Sequence, residues 1–104
     1  MSDPKPGIIE EVKEHTEERT KEPPMYRVLL HNDDFTTKEF VVEILVYVFH
    51  KPVNEAMELM WRVHNHGRGV AGVFSREIAE TKITTVTTIA RENGFPLKLT
   101  MEPD

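Results

Sequence analysis

The run His31-Asn32-Asp33-Asp34 gathers an imidazole, an amide and two carboxylates in four consecutive residues, and two more imidazoles, His64 and His66, stand further along the chain. Imidazole and carboxylate are common metal ligands. Side chains of consecutive residues after a strand point in different directions, however, and the regular oxygen spacing of a calcium loop is missing. An Asx-type turn accounts better for the run. A turn of this kind offers acceptors in several directions, which suits an ammonium with its three N–H donors. His64-x-His66 lacks further placed ligands. His64 itself has two readings: a surface imidazole favoured by the negative end of a helix dipole, or a hydrogen-bonding group for a peptide amine or carbonyl beside an apolar hole formed by Val41, Met60 and Val63. The chain has no cysteine, no serine in a Gly-x-Ser-x-Gly nucleophile elbow, and no Lys-Ser/Thr pair after Gly67, Gly69 or Gly72. Nucleophilic catalysis and phosphate-loop chemistry are therefore not expected, nor is a metal or other cofactor.

Local patterns indicate which elements must position these groups. Met25 to Leu30 has β-branched and aromatic character and stops at the polar run, as a strand entering a turn does. Thr36 precedes Glu39 by three residues, the spacing of a capping box, and predicts a helix start there. The apolar positions Phe40, Val41, Ile44, Leu45 and Val48 then share one arc, and Pro52 closes the segment. Asn54 is placed to cap a second helix with the stripe Ala56, Leu59, Met60 and Val63, which Gly67 ends in a left-handed conformation. Val70 to Phe74 reads as a short strand, and Ser75 as the cap of a third helix with Ile78, Ala79, Ile83, Val86, Ile89 and Ala90 on one face. That helix closes at Asn93-Gly94, and Leu97, Leu99 and Met101 alternate with polar residues as in a half-buried strand. The expected fold is a two-layer α/β (α+β) sandwich of order β-α-α-β-α-β, a small three-stranded antiparallel sheet with three helices on one side.

Composition sets the outer limits. The chain has 104 residues and a formal charge of -5, which opposes binding to a nucleic-acid backbone. No apolar segment approaches the ~20 residues of a membrane span. Residues 1–24 hold seven acids, four bases and four prolines with few apolar side chains, so a disordered N-terminal extension is expected ahead of a folded domain at 25–104. Without cysteine or a secretory leader pattern, a cytoplasmic setting is expected.

Three separated motifs carry a resemblance: Tyr-x-Val-Leu-Leu-x-Asn-Asp-Asp-Phe-Thr-Thr-x-Glu-Phe-Val from Tyr26, Val-His-x-x-Gly from Val63, and Ala-Glu-Thr-Lys from Ala79. From about Met25 to Glu102 the chain resembles the ClpS family, adaptors of the Clp protease in the N-degron pathway. The resemblance implies a non-enzymatic, monomeric module that binds substrate N-termini beginning with Leu, Phe, Tyr or Trp and hands them to the N-terminal domain of the ClpA unfoldase. By matching positions, Asn32, Asp33 and His64 would contact the α-amine and first peptide unit, with Asp34 and Thr36 shaping the turn. Val41, Met60, Val63 and Leu97 would line the side-chain pocket, and Glu77 and Lys82 would contact the unfoldase. Lys38 stands where family members usually carry a Met at the pocket mouth, which implies altered selectivity. An interaction domain like that of the ribosomal stalk, sharing the fold but blind to the N-terminal amine, is the alternative.

Overall fold

The computed structural model describes residues 23–104. The elements run β1 (Met25–His31), α1 (Lys38–Tyr47), α2 (Val53–His66), β2 (Arg68–Ser75), α3 (Arg76–Glu92) and β3 (Lys98–Pro103), the expected order. The expectation for residues 1–24 lies, apart from Pro23 and Pro24, outside the described residues. β1 is the central strand, antiparallel to both β2 and β3.

One face of β1 carries Val28 and Leu30, both fully buried in a core with Phe40, Val41, Ile44, Leu45, Ala56, Met60, Val63, Ala79, Val86, Ala90, Leu97 and Leu99. Period-2 alternation turns Arg27, Leu29 and His31 to the opposite face. There His31 bonds Thr100 Oγ1 at 2.7 Å and Arg27 pairs with Glu102 at 3.2 Å. The imidazole of the polar run is thus committed across the sheet to β3, away from the turn that follows it.

Several local expectations shift. Thr37, not Thr36, caps α1, its hydroxyl accepting from Phe40 N–H at 3.2 Å, because Thr36 is drawn into the preceding turn by Asp33. α1 ends well before Pro52: the chain reverses through His50, whose φ of 56° is left-handed, and Lys51 N–H returns to the Leu45 carbonyl. α2 begins at Val53 with Pro52 in the capping place and no side-chain cap bond, so Asn54 lies inside the first turn. Gly67 ends α2 at φ 89° as expected. Ser75 stands at the α3 cap without making a cap bond. Ile78 is half-exposed, because Ala79, Val86 and Ala90 take the buried line of α3. α2 also exposes Val53, Met57 and Trp61 at four-residue spacing, an apolar strip apart from the buried line of Ala56, Met60 and Val63.

Gly69 lets α2 settle onto β2. A Cβ there would meet Leu59 Cδ1 and Val63 Cγ2, each at 2.9 Å. The bulge in β2 opposite Val28 and Leu29 then re-aims the strand, so that Phe74 turns toward Phe49 with ring centroids 6.0 Å apart.

Candidate functional site

A cleft of about 440 Å³ opens where the β1–α1 turn meets α2, walled by residues 32–39 with Val41, Met60, Val63 and His64. The turn is built by Asp33. Its Oδ1 accepts from Phe35 N–H at 2.8 Å and Thr36 N–H at 2.6 Å, and its Oδ2 from the Thr36 hydroxyl at 2.7 Å. This is the Asx turn the sequence suggested, with one correction of roles: Asp33 shapes it with Thr36, whereas Asp34 is exposed and makes no hydrogen bond among the described residues. A carboxylate has about four acceptor positions, so Asp33 keeps one for a ligand and Asp34 keeps all of its own.

Desolvation is the largest influence on Asp33 and opposes its ionisation. The bonds from Thr36 and Phe35, with the Arg91 charge, outweigh it and hold the carboxyl below its ordinary value. The turn is therefore a fixed anion. Asn32 N–H donates to the Gly67 carbonyl at 2.8 Å, which ties the turn to the end of α2 and brings Asn32 alongside the His64 wall.

Below this rim the surface is apolar. Val41, Met60 and Val63 are almost fully buried, at 7 %, 5 % and 3 % exposure, yet line the cleft; they are core residues whose outer atoms form its floor. Leu97, expected in the same set, is buried in the core outside the lining residues, and its carbonyl accepts from Arg91 Nη1 at 3.2 Å. Lys38 does line the mouth, with its ammonium 5.0 Å from the centre of the Trp61 ring. Trp61 stands edge-on to His64, with centroids 5.8 Å apart and planes at 77°. Sequence reading missed Trp61, Phe35, Thr37 and Glu39. Trp61 lies off the apolar stripe of α2, and its only signal was its place three residues before His64. Asp33, Asp34 and Glu39 face a single ammonium among the lining side chains, so the rim favours a cation.

Glu77 and Lys82 lie on α3, apart from the cleft. Glu77 is exposed in the first turn. Lys82 turns inward, donating to the Val48 carbonyl at 2.6 Å and lying 5.2 Å and 5.7 Å from the Phe74 and Phe49 rings, where it neutralises the carbonyl end of α1.

The family model for the ATP-dependent Clp protease adaptor protein ClpS matches residues 21–100. The chain belongs to the ClpS family. The ClpS adapter protein of Desulforapulum autotrophicum is 50% identical over 104 residues, covering all of both chains. That of Desulfatibacillum aliphaticivorans is 53% identical over 102 residues, 98% of this chain and 97% of the relative. Among solved structures, Agrobacterium tumefaciens ClpS2 bound to L-phenylalaninamide matches with TM-score 0.77 and 41% identity, over 80% of this chain and 100% of that one. The family places the chain among Clp protease adaptors and agrees with the observed fold.

Proposed function

We propose that the cleft binds the free α-amine and bulky apolar first residue of substrate proteins, and that the protein delivers them, as a non-enzymatic adaptor, to the N-terminal domain of a ClpA-type unfoldase. The observation that carries this reading is the meeting, in one cleft, of a hydrogen-bonded acidic turn with an apolar floor made by Val41, Met60 and Val63. L-phenylalaninamide, held by the Agrobacterium tumefaciens relative, is a free amine, a benzyl group and one carboxamide, the chemistry such a cleft would take.

The ammonium would be received by Asn32, Asp33 and the exposed Asp34, with His64 bonding the first peptide unit. Two terms then combine. Burying a Leu or Phe side chain contributes about 1.5–3 kcal/mol, and an acceptor left unpaired when the amine is blocked costs about 1–3 kcal/mol. Either alone gives weak binding, and together they select bulky N-termini with a free amine. At the mouth, the Lys38 methylenes form a wall of different shape and flexibility from a Met, so we infer altered discrimination among Leu, Phe, Tyr, Trp and Ile. Glu77, exposed on α3, is the better of the two expected unfoldase contacts, since the ammonium of Lys82 is already engaged within the fold.

Fluorescence anisotropy with labelled peptides differing only in their first residue tests the reading, with Asp33→Ala, His64→Ala and Lys38→Met beside the native protein. Free Leu, Phe, Tyr and Trp N-termini are expected to bind at least about tenfold more tightly than acetylated Leu, and both alanine variants to abolish that difference. Equal binding of acetylated and free peptides would instead mark an amine-blind interaction domain.

A further inference from the structure

Lys38 is the first residue of α1, next to Glu39 and four residues after Asp34. A cation at a helix N-terminus is electrostatically disfavoured, and the ordinary partner for this ammonium is one of the three carboxylates that line the same cleft. It takes none of them. The ion pairs among the described residues join Arg27 to Glu102 and Asp104, and Arg76 to Glu80. Lys38 instead reaches from α1 to α2 and rests its charge over the Trp61 ring, 5.0 Å from its centre. Trp61 is half-exposed and stands outside the core cluster, so core packing does not explain a large aromatic here. Its contacts do: one indole bears on Lys38 through its face and, edge-on, on His64, both of them cleft-lining residues.

We propose that Trp61 is a positioning residue that parks the Lys38 ammonium away from the acidic turn, leaving the turn's carboxylates free for the substrate's own α-ammonium. The inference rests on the reading of the cleft as an amine site. Its physical basis is competition between like charges. Lys38 and a substrate N-terminus are both ammonium ions within reach of the same acceptors, and a tethered competitor is always present at high local concentration. An aromatic face offers Lys38 an alternative that costs the turn none of its acceptors. Removing the face releases Lys38 to occupy the substrate's place.

The test is a double-mutant comparison of Kd for a dye-labelled peptide with a free N-terminal Phe, against its acetylated counterpart, in the native protein, Trp61→Ala, Trp61→Phe, Lys38→Met and the Trp61→Ala/Lys38→Met double variant. Trp61→Ala is expected to weaken free-amine binding about two- to fivefold, the scale of an exposed cation–π contact. Trp61→Phe should keep most of the affinity, and the double variant should return to the Lys38→Met value. Loss of equal size in the Lys38→Met background would mean that Trp61 acts on the cleft in some other way and would overturn the proposal, as would an unchanged Kd in Trp61→Ala. If the native protein binds the acetylated peptide equally well, the amine-site reading fails first and the inference with it. A native preference for the free amine, together with a loss in Trp61→Ala that Lys38→Met does not cancel, sinks only the inference.

Discussion

At the scale of single residues, the polar run at the end of β1 divides its work. His31 points to the outer face of the sheet and bonds Thr100, while Asp33 spends three hydrogen bonds on the turn. Burial lowers the pKa of His31, the charges of Lys98 and Arg68 lower it further, and Glu102 opposes them. The fold therefore prefers the neutral ring. Between the lowered value and the ordinary 6.5 the unfolded chain binds more protons, so stability rises with pH across that window. The contribution is full above the ordinary value and declines as pH falls below it. His31→Gln keeps a polar partner for Thr100 without titrating, and is expected to flatten the pH dependence of the urea midpoint below the ordinary value of 6.5. An unchanged slope would mean that other groups set it.

Among the elements, the decisive contact is that of α2 with β2 at Gly69. Leu59 can swing its terminal methyl away from an added Cβ, but the β-branched Val63 has little freedom to do so, and Val63 is part of the cleft floor. Gly69→Ala is expected to destabilise by about 1–3 kcal/mol through overpacking. It should also weaken binding of a Phe-led peptide, because relieving the clash pushes the His64-bearing helix outward. Chemical denaturation and anisotropy on the same samples separate the two effects; native-like values in both would show that α2 accommodates the methyl without moving. The hinge between α1 and α2 relies on His50 in a left-handed conformation, a place where glycine is the usual residue.

For the molecule as a whole, the cleft and the exposed end of α3 are separate surfaces on one small core, which is what a module that holds one partner while touching another requires. Glu77→Ala is expected to leave the Kd for Phe-led peptides unchanged while reducing unfoldase-dependent degradation of a Phe-led reporter. Lys82→Ala should lose about 1–3 kcal/mol of stability from its bond to the α1 carbonyl end. Equal losses of peptide binding in both variants would argue against two separate surfaces. Much of this was legible in the chain itself. Apolar periodicity determined the order of strands and helices, and the polar run His31–Asp34 signalled an Asx-type turn, because both depend on residues a few positions apart; Thr36, expected as the cap of α1, instead bonds Asp33 within that turn. Two of the three family motifs contain Asn32, Val41, Val63 and His64, and the apolar stripe of α2 contains Met60. Tertiary structure alone decided that His31 leaves the site for β3, that Lys82 caps α1 from 34 residues away, that Leu97 sinks into the core, and that Trp61 stands between Lys38 and His64. In each of these the partner comes from another element, and its distance and direction are fixed only when α1, α2 and α3 have closed over the sheet.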